Sequence, residues 1–464
     1  MKKFIKIKTF IINLLVNLTI FLIIICNYQK IQAKQQEQKD QLSFKIQSPI
    51  QQHSKIKIQS LIIGKNTEKT IDDSAKIIKY DLEFTDQLEV DLKKINEPLN
   101  KKIEEKLVEK GISLLLYLTT IQVSSPKKLS LNKVKINLKD LLFNTIIFEK
   151  EFEINEKKIV FDSHKISDEL LPILTGEKGI ALNSLVYCKM IKPRHKTICI
   201  ADYACKKEKT LIQSKTFNIT PCWHTKAPIL FYSQFTKINN RLMSINLLTK
   251  KHKIICSYDG LNMQPSFSND GTKAVLCLSG GKNSELYLYD HKICKKIKKR
   301  AFIQLTKNGG NNVSPCFLEN GDIIFCSDYQ TGMPQIYYLN RKKRKTFRLT
   351  NGNGYCAAPS YCQKTNNIVY TRVVNSVFQL FTINLDDFYN LQEKQLTFIP
   401  GNKHEPSFSQ CGRFIAFSYD FINKNGQKNS QIAVLNKNSG KIRILTTGKE
   451  TKSFPKWGKQ PLYI

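Results

Sequence analysis

The chain has 464 residues, of which 41% are hydrophobic, and its 73 Lys and Arg against 38 Asp and Glu give a formal net charge of +35. The length leaves room for two or three domains, and the hydrophobic content is that of an ordinary globular chain. An excess of positive charge attracts anionic partners, but these basic residues are spread along the whole chain, without a zinc finger, basic helix or aromatic RNA-binding motif. We therefore exclude nucleic acid as the expected partner and attribute the charge to solvated loops.

The first 33 residues have the pattern of an export signal. Four lysines between positions 2 and 8 precede the mostly apolar segment Phe10–Ile25, and Ala33 offers a small residue at a cleavage point. An uncleaved signal anchor is the alternative, whereas a lipoprotein signal is disfavoured because the residues before Cys26 are bulky. No later stretch reaches the roughly 20 apolar residues that span a bilayer. We predict a signal peptide over 1–33 and a mature protein that is soluble outside the cytoplasm.

Twelve of the thirteen cysteines follow the signal, and they are scattered without CxxC pairs. Many stand where a small, half-buried residue would fit a strand, as at Cys277 and Cys326, which favours buried thiols over metal ligands. A few disulfides are the alternative, and the sequence alone does not pair them.

Residues 34–52 are polar and rich in Gln and Lys, and they predict a flexible N-terminal arm. From 53 to 180, helical and strand patterns alternate, which predicts a small α/β domain with helices packed on one sheet. The predicted elements are strand Ile58–Ile63, helix Ile71–Leu88, a helix opened by Pro98 and stopped by Gly111, strand Ile112–Leu118, strands near Val134–Leu138 and Ile146–Phe152, and helix Ser167–Leu174.

After residue 180 the pattern changes to short strands and turns, and a proline followed two residues later by an aromatic ring recurs six times at intervals of 44 to 50 residues. Successive prolines lie 44, 50, 44, 47 and 49 residues apart, a period typical of β-propeller blades. The six motifs are Pro221-Cys-Trp223, Pro265-Ser-Phe267, Pro315-Cys-Phe317, Pro359-Ser-Tyr361, Pro406-Ser-Phe408 and Pro455-Lys-Trp457.

Each repeat divides into four predicted strands. In the third repeat, Pro315 begins the first strand, and the hairpin-type turn Asn320-Gly321 leads to the second strand, Asp322–Cys326. Strands Gln335–Asn340 and Phe347–Thr350 follow. In four repeats a threonine stands nine residues before the next proline, and this fixed spacing predicts that the connection from the fourth strand to the next first strand is structural. These residues are Thr306, Thr350, Thr397 and Thr446.

The two ends of the repeat region complete one another. After Pro455 the chain supplies little more than a first strand, whereas the segment between 185 and 217 supplies second, third and fourth strands without a first. A blade built from both ends leaves no open sheet edge. We predict an α+β multidomain protein in which residues 181–464 form a six-bladed β-propeller closed by the C-terminal strand.

Several motifs resemble the TolB family. The blade signature Pro-x-aromatic-Ser-x-Asp-Gly is complete in Pro265–Gly271 and less complete in Pro406–Gly412. The segments His164–Leu170 and Leu174–Ile180 are similar to the family's His-x-x-Ser-Asp-Glu and Leu-Thr-Gly-x-x-Gly junction between its two domains. Phe454–Trp457 resembles the family's closing strand, so the resemblance covers nearly the whole predicted mature chain.

This resemblance implies a periplasmic, non-enzymatic component of the Tol-Pal system. TolB-like proteins bind the lipoprotein Pal at the mouth of the propeller channel, and their mature N-terminus contacts the inner-membrane protein TolA. The system maintains the outer membrane and supports its constriction at cell division. For this chain the resemblance implies a monomer, peripheral to the outer membrane, with residues 34–52 as the TolA-facing arm. That arm does not match the family's short N-terminal motif.

The polar residues just ahead of the repeat prolines are the predicted Pal-facing contacts. Loops that converge at one end of a propeller suit recognition of an inserted segment, whereas the alternative is that these side chains satisfy turn hydrogen bonds. Leu261 and Val313 are apolar where relatives tend to be polar, so this face is expected to suit a divergent Pal. The candidate residues are Asn262, Gln264, Asn312, Ser314, His404 and Glu405.

We predict no catalytic residue, metal or cofactor. A propeller-gated peptidase needs a Gly-x-Ser-x-Gly elbow and a further hydrolase-sized domain, and the chain has neither. The seven histidines are dispersed without ligand spacing, and His164 is expected to pack or cap at the domain junction. Two alternatives stay open: the propeller domain of a peptidase-like protein that lacks its catalytic domain, and a propeller that binds envelope glycan.

Overall fold

The computed structural model describes residues 55–63, 69–95, 99–121, 131–213, 216–280, 283–296, 302–352, 354–388, 390–422 and 426–458. The predicted signal peptide, 1–33, and the predicted arm, 34–52, lie outside these residues. In the described part of the chain, no helix is long and apolar enough to cross a membrane.

The first described region is a five-stranded sheet with helices on both faces. The sheet has the order β2-β1-β3-β4-β5, with β1 parallel to β2 and β3 and the other pairs antiparallel. Its elements are β1 Ile56–Ile63, α1 Lys69–Glu83, β2 Leu88–Ile95, α2 Lys101–Glu109, β3 Leu114–Ile121, β4 Leu131–Asp140, β5 Thr145–Asn155, a 3-10 turn Glu156–Lys158 and α3 Ile159–Thr175.

Side chains that alternate along the strands bury both faces of this sheet. Ile58 and Ile136 pack with Ile78 of α1 and Ile166 of α3 in one core. The opposite face, which includes Leu61, packs with Leu107 of α2 in a second core. An alternation of helices and strands thus produces an α/β region, as the patterns predict.

Two element boundaries differ from the prediction. Helix α1 ends at Glu83, and the predicted helix up to Leu88 runs into a strand, β2, which the sequence analysis did not predict. Leu88 and Val90 are buried while the residue between them is exposed, which is the period of two of a half-buried strand. Asp86, with φ 63°, separates the helix from the strand. Helix α3 begins at Ile159, eight residues before the predicted Ser167.

After α3 the described chain consists of strands and one short helix. They are β6 Ser184–Lys192, β7 His195–Asp202, β8 Glu208–Ile212, β9 Phe217–Trp223, β10 Ile229–Phe235, β11 Asn240–Asn246, β12 His252–Cys256, β13 Asn262–Phe267, β14 Lys273–Leu278, β15 Glu285–Asp290, α4 His291–Lys296, β16 Phe302–Gln304, β17 Asn312–Phe317, β18 Ile323–Ser327, β19 Gln335–Asn340, β20 Lys345–Arg348, β21 Cys356–Cys362, β22 Asn367–Val374, β23 Val377–Asn384, β24 Glu393–Gln395, β25 Asn402–Phe408, β26 Phe414–Ile422, β27 Lys428–Asn436, β28 Ile442–Ile444 and β29 Lys452–Gly458.

These strands form four four-stranded antiparallel sheets, β13–β16, β17–β20, β21–β24 and β25–β28, and one eight-stranded sheet. The eight-stranded sheet has the order β12-β11-β10-β9-β7-β6-β29, with β8 paired to β7. The last strand pairs antiparallel with β6, so that Trp457 lies opposite Leu185. The C-terminal strand therefore joins the strands that directly follow the α/β region.

The recurring threonine fixes the connection between repeats. In each case its Oγ1 accepts a hydrogen bond from a backbone N–H of the third strand, at 2.9 Å for Thr397 and Leu380. The same hydroxyl donates to the side chain of the Gln or Glu that directly precedes this third-strand residue in the sequence, at 2.7 Å for Thr397 and Gln379. Thr306, Thr350 and Thr446 repeat the first bond with Leu286, Ile336 and Ile432. A connection held at these two points cannot change length without losing both, which explains the constant spacing.

The α/β region is joined to the propeller by buried polar groups. Asp81 of α1 accepts from the hydroxyl of Tyr203 at 2.6 Å and lies 2.8 Å from Nδ1 of His164. The carboxylate of Asp168 accepts from the backbone N–H groups of Ala181 and Leu182 at 2.9 and 3.0 Å. His164 thus packs and bonds at the junction, as predicted, and the motif around it holds the start of the propeller in place.

Candidate functional site

Six strands, β9, β13, β17, β21, β25 and β29, line one cavity of about 680 Å3. Each is the first strand of its repeat and carries the proline–aromatic motif. Within the part of the chain that the structure describes, no other strand supplies lining residues to this cavity. The repeat therefore places six copies of one sequence position around a common space, and differences between the copies give that space its chemistry.

A β-bulge shapes every one of these strands. The residue before each proline has a positive φ, between 51° and 56°, although a residue before proline ordinarily adopts an extended conformation. This residue and the proline together lie opposite a single residue of the second strand, which is the pairing of a bulge. The left-handed residues are Thr220, Gln264, Ser314, Ala358, Glu405 and Phe454.

Large buried side chains hold the bulges. The single residue that faces each bulge is nearly or fully buried and is aromatic in five of the six copies. A left-handed conformation in a residue other than glycine costs free energy, so the packing of these side chains has to maintain it. The six residues are Tyr187, Tyr232, Leu276, Phe325, Tyr370 and Phe417.

The residue after each proline connects neighbouring repeats. Serine at this position accepts from the backbone N–H of the next repeat's aromatic residue, and cysteine donates to the carbonyl of the next repeat's proline. The bonds are Phe317 N to Ser266 Oγ at 2.9 Å, Phe408 N to Ser360 Oγ and Trp457 N to Ser407 Oγ at 3.2 Å, Cys222 Sγ to Pro265 O at 2.8 Å and Cys316 Sγ to Pro359 O at 3.1 Å. In addition, Trp223 Nε1 donates to the carbonyl of Lys456 at 3.4 Å.

Three of the predicted contact residues, Gln264, Ser314 and Glu405, line the cavity. They also connect neighbouring strands, since Gln264 Oε1 accepts from the backbone N–H of Ser314 at 2.9 Å. In the same way Glu405 Oε2 accepts from the N–H of Phe454 at 2.8 Å and from Ser418 Oγ at 2.6 Å. Their role in partner binding stays a prediction.

The other three predicted residues lie away from the cavity lining. Asn262 and Asn312 are fully buried, and their side-chain amides donate to carbonyls of the preceding loop, at 2.7 Å to Tyr258 and 3.1 Å to Gly310. His404 packs its ring 4.6 Å from that of Phe378. The two asparagines thus satisfy hydrogen bonds of the preceding loops, which is the alternative interpretation given above, whereas His404 contacts residues of neighbouring strands. The part of all three residues in recognition also stays a prediction.

Several residues that line the cavity were not predicted from the sequence. Trp223 and Trp457, the two tryptophans of the chain, both line the cavity, as do His224 and Lys456. The repeat itself contained the signal, because each of these residues stands at or next to the aromatic position of its motif. The motif was interpreted only as a structural repeat, whereas the first strand of each repeat also forms part of the cavity wall.

Burial shifts the pKa values of three lining groups, Cys222, Cys316 and His224, in the direction of their neutral forms. Burial raises the pKa of Cys222 to about 12 and that of Cys316 to about 11, while the nearby Lys456 opposes both shifts. Burial lowers the pKa of His224, whose Nδ1 accepts from the N–H of Ala227 at 2.9 Å. Across the described ranges, no three His, Cys, Asp or Glu side chains are grouped as a metal site would require.

Repeated four-stranded antiparallel sheets whose first strands line a common cavity, preceded by an α/β region, define the class of β-propeller proteins. The family model described as "TolB beta propeller domain" matches residues 172–461. The chain belongs to this TolB propeller family, and the predicted resemblance is confirmed.

Relatives and a solved structure agree with this assignment. The chain is 27% identical over 299 residues to "Tol-Pal system protein TolB" of Helicobacter pylori (strain HPAG1), which covers 59% of this chain and 68% of the relative. It is 28% identical over 311 residues to the protein of the same name in Francisella tularensis subsp. mediasiatica (strain FSC147), covering 63% and 69%. The crystal structure of TolB from Acinetobacter baumannii superposes with a TM-score of 0.74 at 21% identity, over 87% of this chain and 97% of that one. A TolB-like propeller with an N-terminal α/β region is thus confirmed as the fold.

Proposed function

We propose that this chain is the periplasmic, non-enzymatic TolB-type component of a Tol-Pal system. Its membership of the TolB propeller family is the observation that carries this proposal, and the names of the relatives from Helicobacter and Francisella support it. In this role the protein connects a Pal-like lipoprotein with a TolA-like inner-membrane protein. It thereby serves outer-membrane integrity and envelope constriction during cell division, as a monomer that is peripheral to the outer membrane.

The proposed architecture is a six-bladed ring over residues 181–464, after an α/β domain over 53–180. The eight-stranded sheet consists of two sets of four strands, β9–β12 and β29-β6-β7-β8, which are joined through the single pair Lys196 and Phe217. Counted separately, these sets and the four other sheets make six blades. The pairing of β29 with β6 and the bond from Trp223 to the carbonyl of Lys456 support closure of the ring by the C-terminal strand.

The proposed Pal-binding site is the cavity lined by the six first strands. Gln264, Ser314 and Glu405 line it, and Asn262 and Asn312 contribute indirectly by fixing the loops that lead into β13 and β17. Its lining combines aromatic rings with polar groups, which is the composition that suits a protein segment. The predicted arm over 34–52, released by cleavage of the signal peptide over 1–33, is the proposed contact to TolA.

Co-purification tests this function. The full chain with a C-terminal tag is expressed in the organism that carries it, and the proteins retained with the tag are identified by mass spectrometry. We expect a Pal-like lipoprotein, and we expect Gln363→Arg, an exposed residue at the cavity mouth, to abolish its retention. The matched control is Gln392→Arg, an exposed glutamine that does not line the cavity. Retention of envelope glycan without a lipoprotein, or hydrolysis of peptides that depends on a single serine, would contradict the proposal.

A further inference from the structure

One position of the repeat carries a different residue in its last copy. The five residues that follow the first five repeat prolines are Ser or Cys. Each of them bonds to the next repeat, as described above. In the sixth copy the position holds Lys456, whose contribution to the neighbouring repeat is its backbone carbonyl, bonded by Trp223. The lysine side chain is therefore not needed for the connection that this position makes elsewhere.

The charges that line the cavity differ in their surroundings. Glu319 and Lys364 are exposed at the mouth. The carboxylate of Glu405 is already bonded to the backbone of Phe454 and to Ser418. Lys456 is half-buried, and within the described ranges its ammonium makes no ion pair or hydrogen bond. It is thus the cation of the cavity interior that lacks a counter-charge among these residues.

Lys456 lines the same cavity as the thiol-bearing residues Cys222 and Cys316 of two other strands. Burial raises the pKa of Cys222 and of Cys316, and the charge of Lys456 opposes the rise at both thiols. Cys222 belongs to β9, the first strand of the repeat that Trp223 connects to Lys456, and Cys316 belongs to β17, the first strand two repeats later in the chain. A cation that is partly removed from water without a partner is costly, and an anionic oxygen brought to it forms a strong, charge-assisted hydrogen bond.

We propose that Lys456 anchors a carboxylate of the protein segment that enters the cavity, either from an Asp or Glu side chain or from a free C-terminus. This rests on the proposed function, which places a protein partner here, and it adds the chemistry by which that partner is selected. The residues at the five equivalent positions are small, and Trp223 and Trp457 supply apolar surface to the same cavity.

A random peptide library tests the anchor without knowledge of the natural partner. Displayed linear 12-residue peptides are selected on the full protein, and synthetic copies are titrated while the fluorescence of Trp223 and Trp457 is followed. We expect the selected peptides to share one acidic group. Its conversion to the amide should weaken binding by roughly 10- to 100-fold, as expected for a charge-assisted hydrogen bond. Lys456→Ser, which installs the residue of three other repeats, should bind both forms equally weakly.

Two further variants complete the design. Lys456→Arg keeps a cation and should keep the preference for the acid, which provides the test even if Lys456→Ser fails to fold. Lys364→Ser, at the mouth of the same cavity, should change affinity by less than about threefold because an exposed charge contributes little. Three results would overturn the anchor: selected peptides that share no acidic group, a preference for the acid that persists in Lys456→Ser, or the failure to select any peptide. Retention of a Pal-like lipoprotein by Lys456→Ser at the wild-type level would overturn the anchor alone and leave the proposed function standing.

Discussion

Lys403 is a buried lysine whose ammonium serves a structural purpose. It is fully buried three residues before Pro406, the position that Asn262 and Asn312 occupy in other repeats. Its Nζ donates to the carbonyls of Ile399, Pro400 and Gly401, the last at 2.8 Å, and so holds the loop that enters β25. Burial lowers its pKa from 10.5 to about 8.

This shift makes stability depend on pH. Between about pH 8 and 10.5 the unfolded chain binds a proton at this site that the folded chain has released, so the free energy of unfolding rises with pH. With these two pKa values, the site contributes a gain of about 2 kcal/mol between pH 7 and 9.5. In Lys403→Met this contribution is absent.

Urea denaturation of wild type and Lys403→Met at pH 7 and pH 9.5 measures the effect. The difference in unfolding free energy between the two proteins should shift by about 2 kcal/mol in favour of wild type as the pH is raised. Lys237→Met, the same substitution at an exposed loop position, should show no such shift. A difference between wild type and Lys403→Met that is independent of pH would contradict a lowered pKa of Lys403 in the folded chain.

Three further changes test the junction and the repeat connections. Asp86→Asn removes the carboxylate that pairs with Arg443 at the junction, and it should lower the free energy of unfolding by about 2–3 kcal/mol. An unchanged midpoint of urea denaturation would contradict a stabilising role of this ion pair. Thr397→Val leaves the N–H of Leu380 without its acceptor and should cost about 1–3 kcal/mol in the same assay; a loss no larger than that of an exposed Thr→Val change would contradict it. Burial alone would lower the pKa of His164, but its hydrogen bond to Asp81 and the charge of that carboxylate raise it. The pair therefore stabilises the folded chain below about pH 6.5, and this contribution is lost as the pH rises through the folded pKa of His164. The thermal unfolding temperature of His164→Asn should fall less than that of wild type as the pH is raised above about 6.5. An equal fall in both proteins would contradict the assignment.

The repeat made most of the propeller predictable from the sequence. Proline, turn glycine and alternating strands recur at nearly constant spacing, so each strand was supported by several copies. The left-handed residue before each proline was not predictable, because a residue before proline intrinsically prefers the extended region and only the packing against Tyr232 and its equivalents overrides that preference. Strand β2 was missed because its short alternating pattern directly follows an amphipathic helix.

The same bulge limited prediction of the site. Along a regular strand, Asn262 and Gln264 would share a face because side chains alternate. The bulge at Gln264 and Pro265 breaks this alternation, so that Gln264 lines the cavity while Asn262 turns into the loop. The polar residues ahead of each proline therefore identified the segment of the chain that reaches the cavity. Which of these side chains point into the cavity depends on the bulge, a backbone conformation that the local sequence does not indicate.

Cross-linking in living cells tests most directly the central claim that a Pal-like lipoprotein binds in the cavity of the six first strands. A photoreactive amino acid replaces Gln363 at the cavity mouth or, as the control, Gln392 outside it. We expect a covalent adduct with a Pal-like lipoprotein from position 363 and none from position 392. An adduct from position 392 alone, or lipoprotein retention without any adduct from position 363, would contradict it.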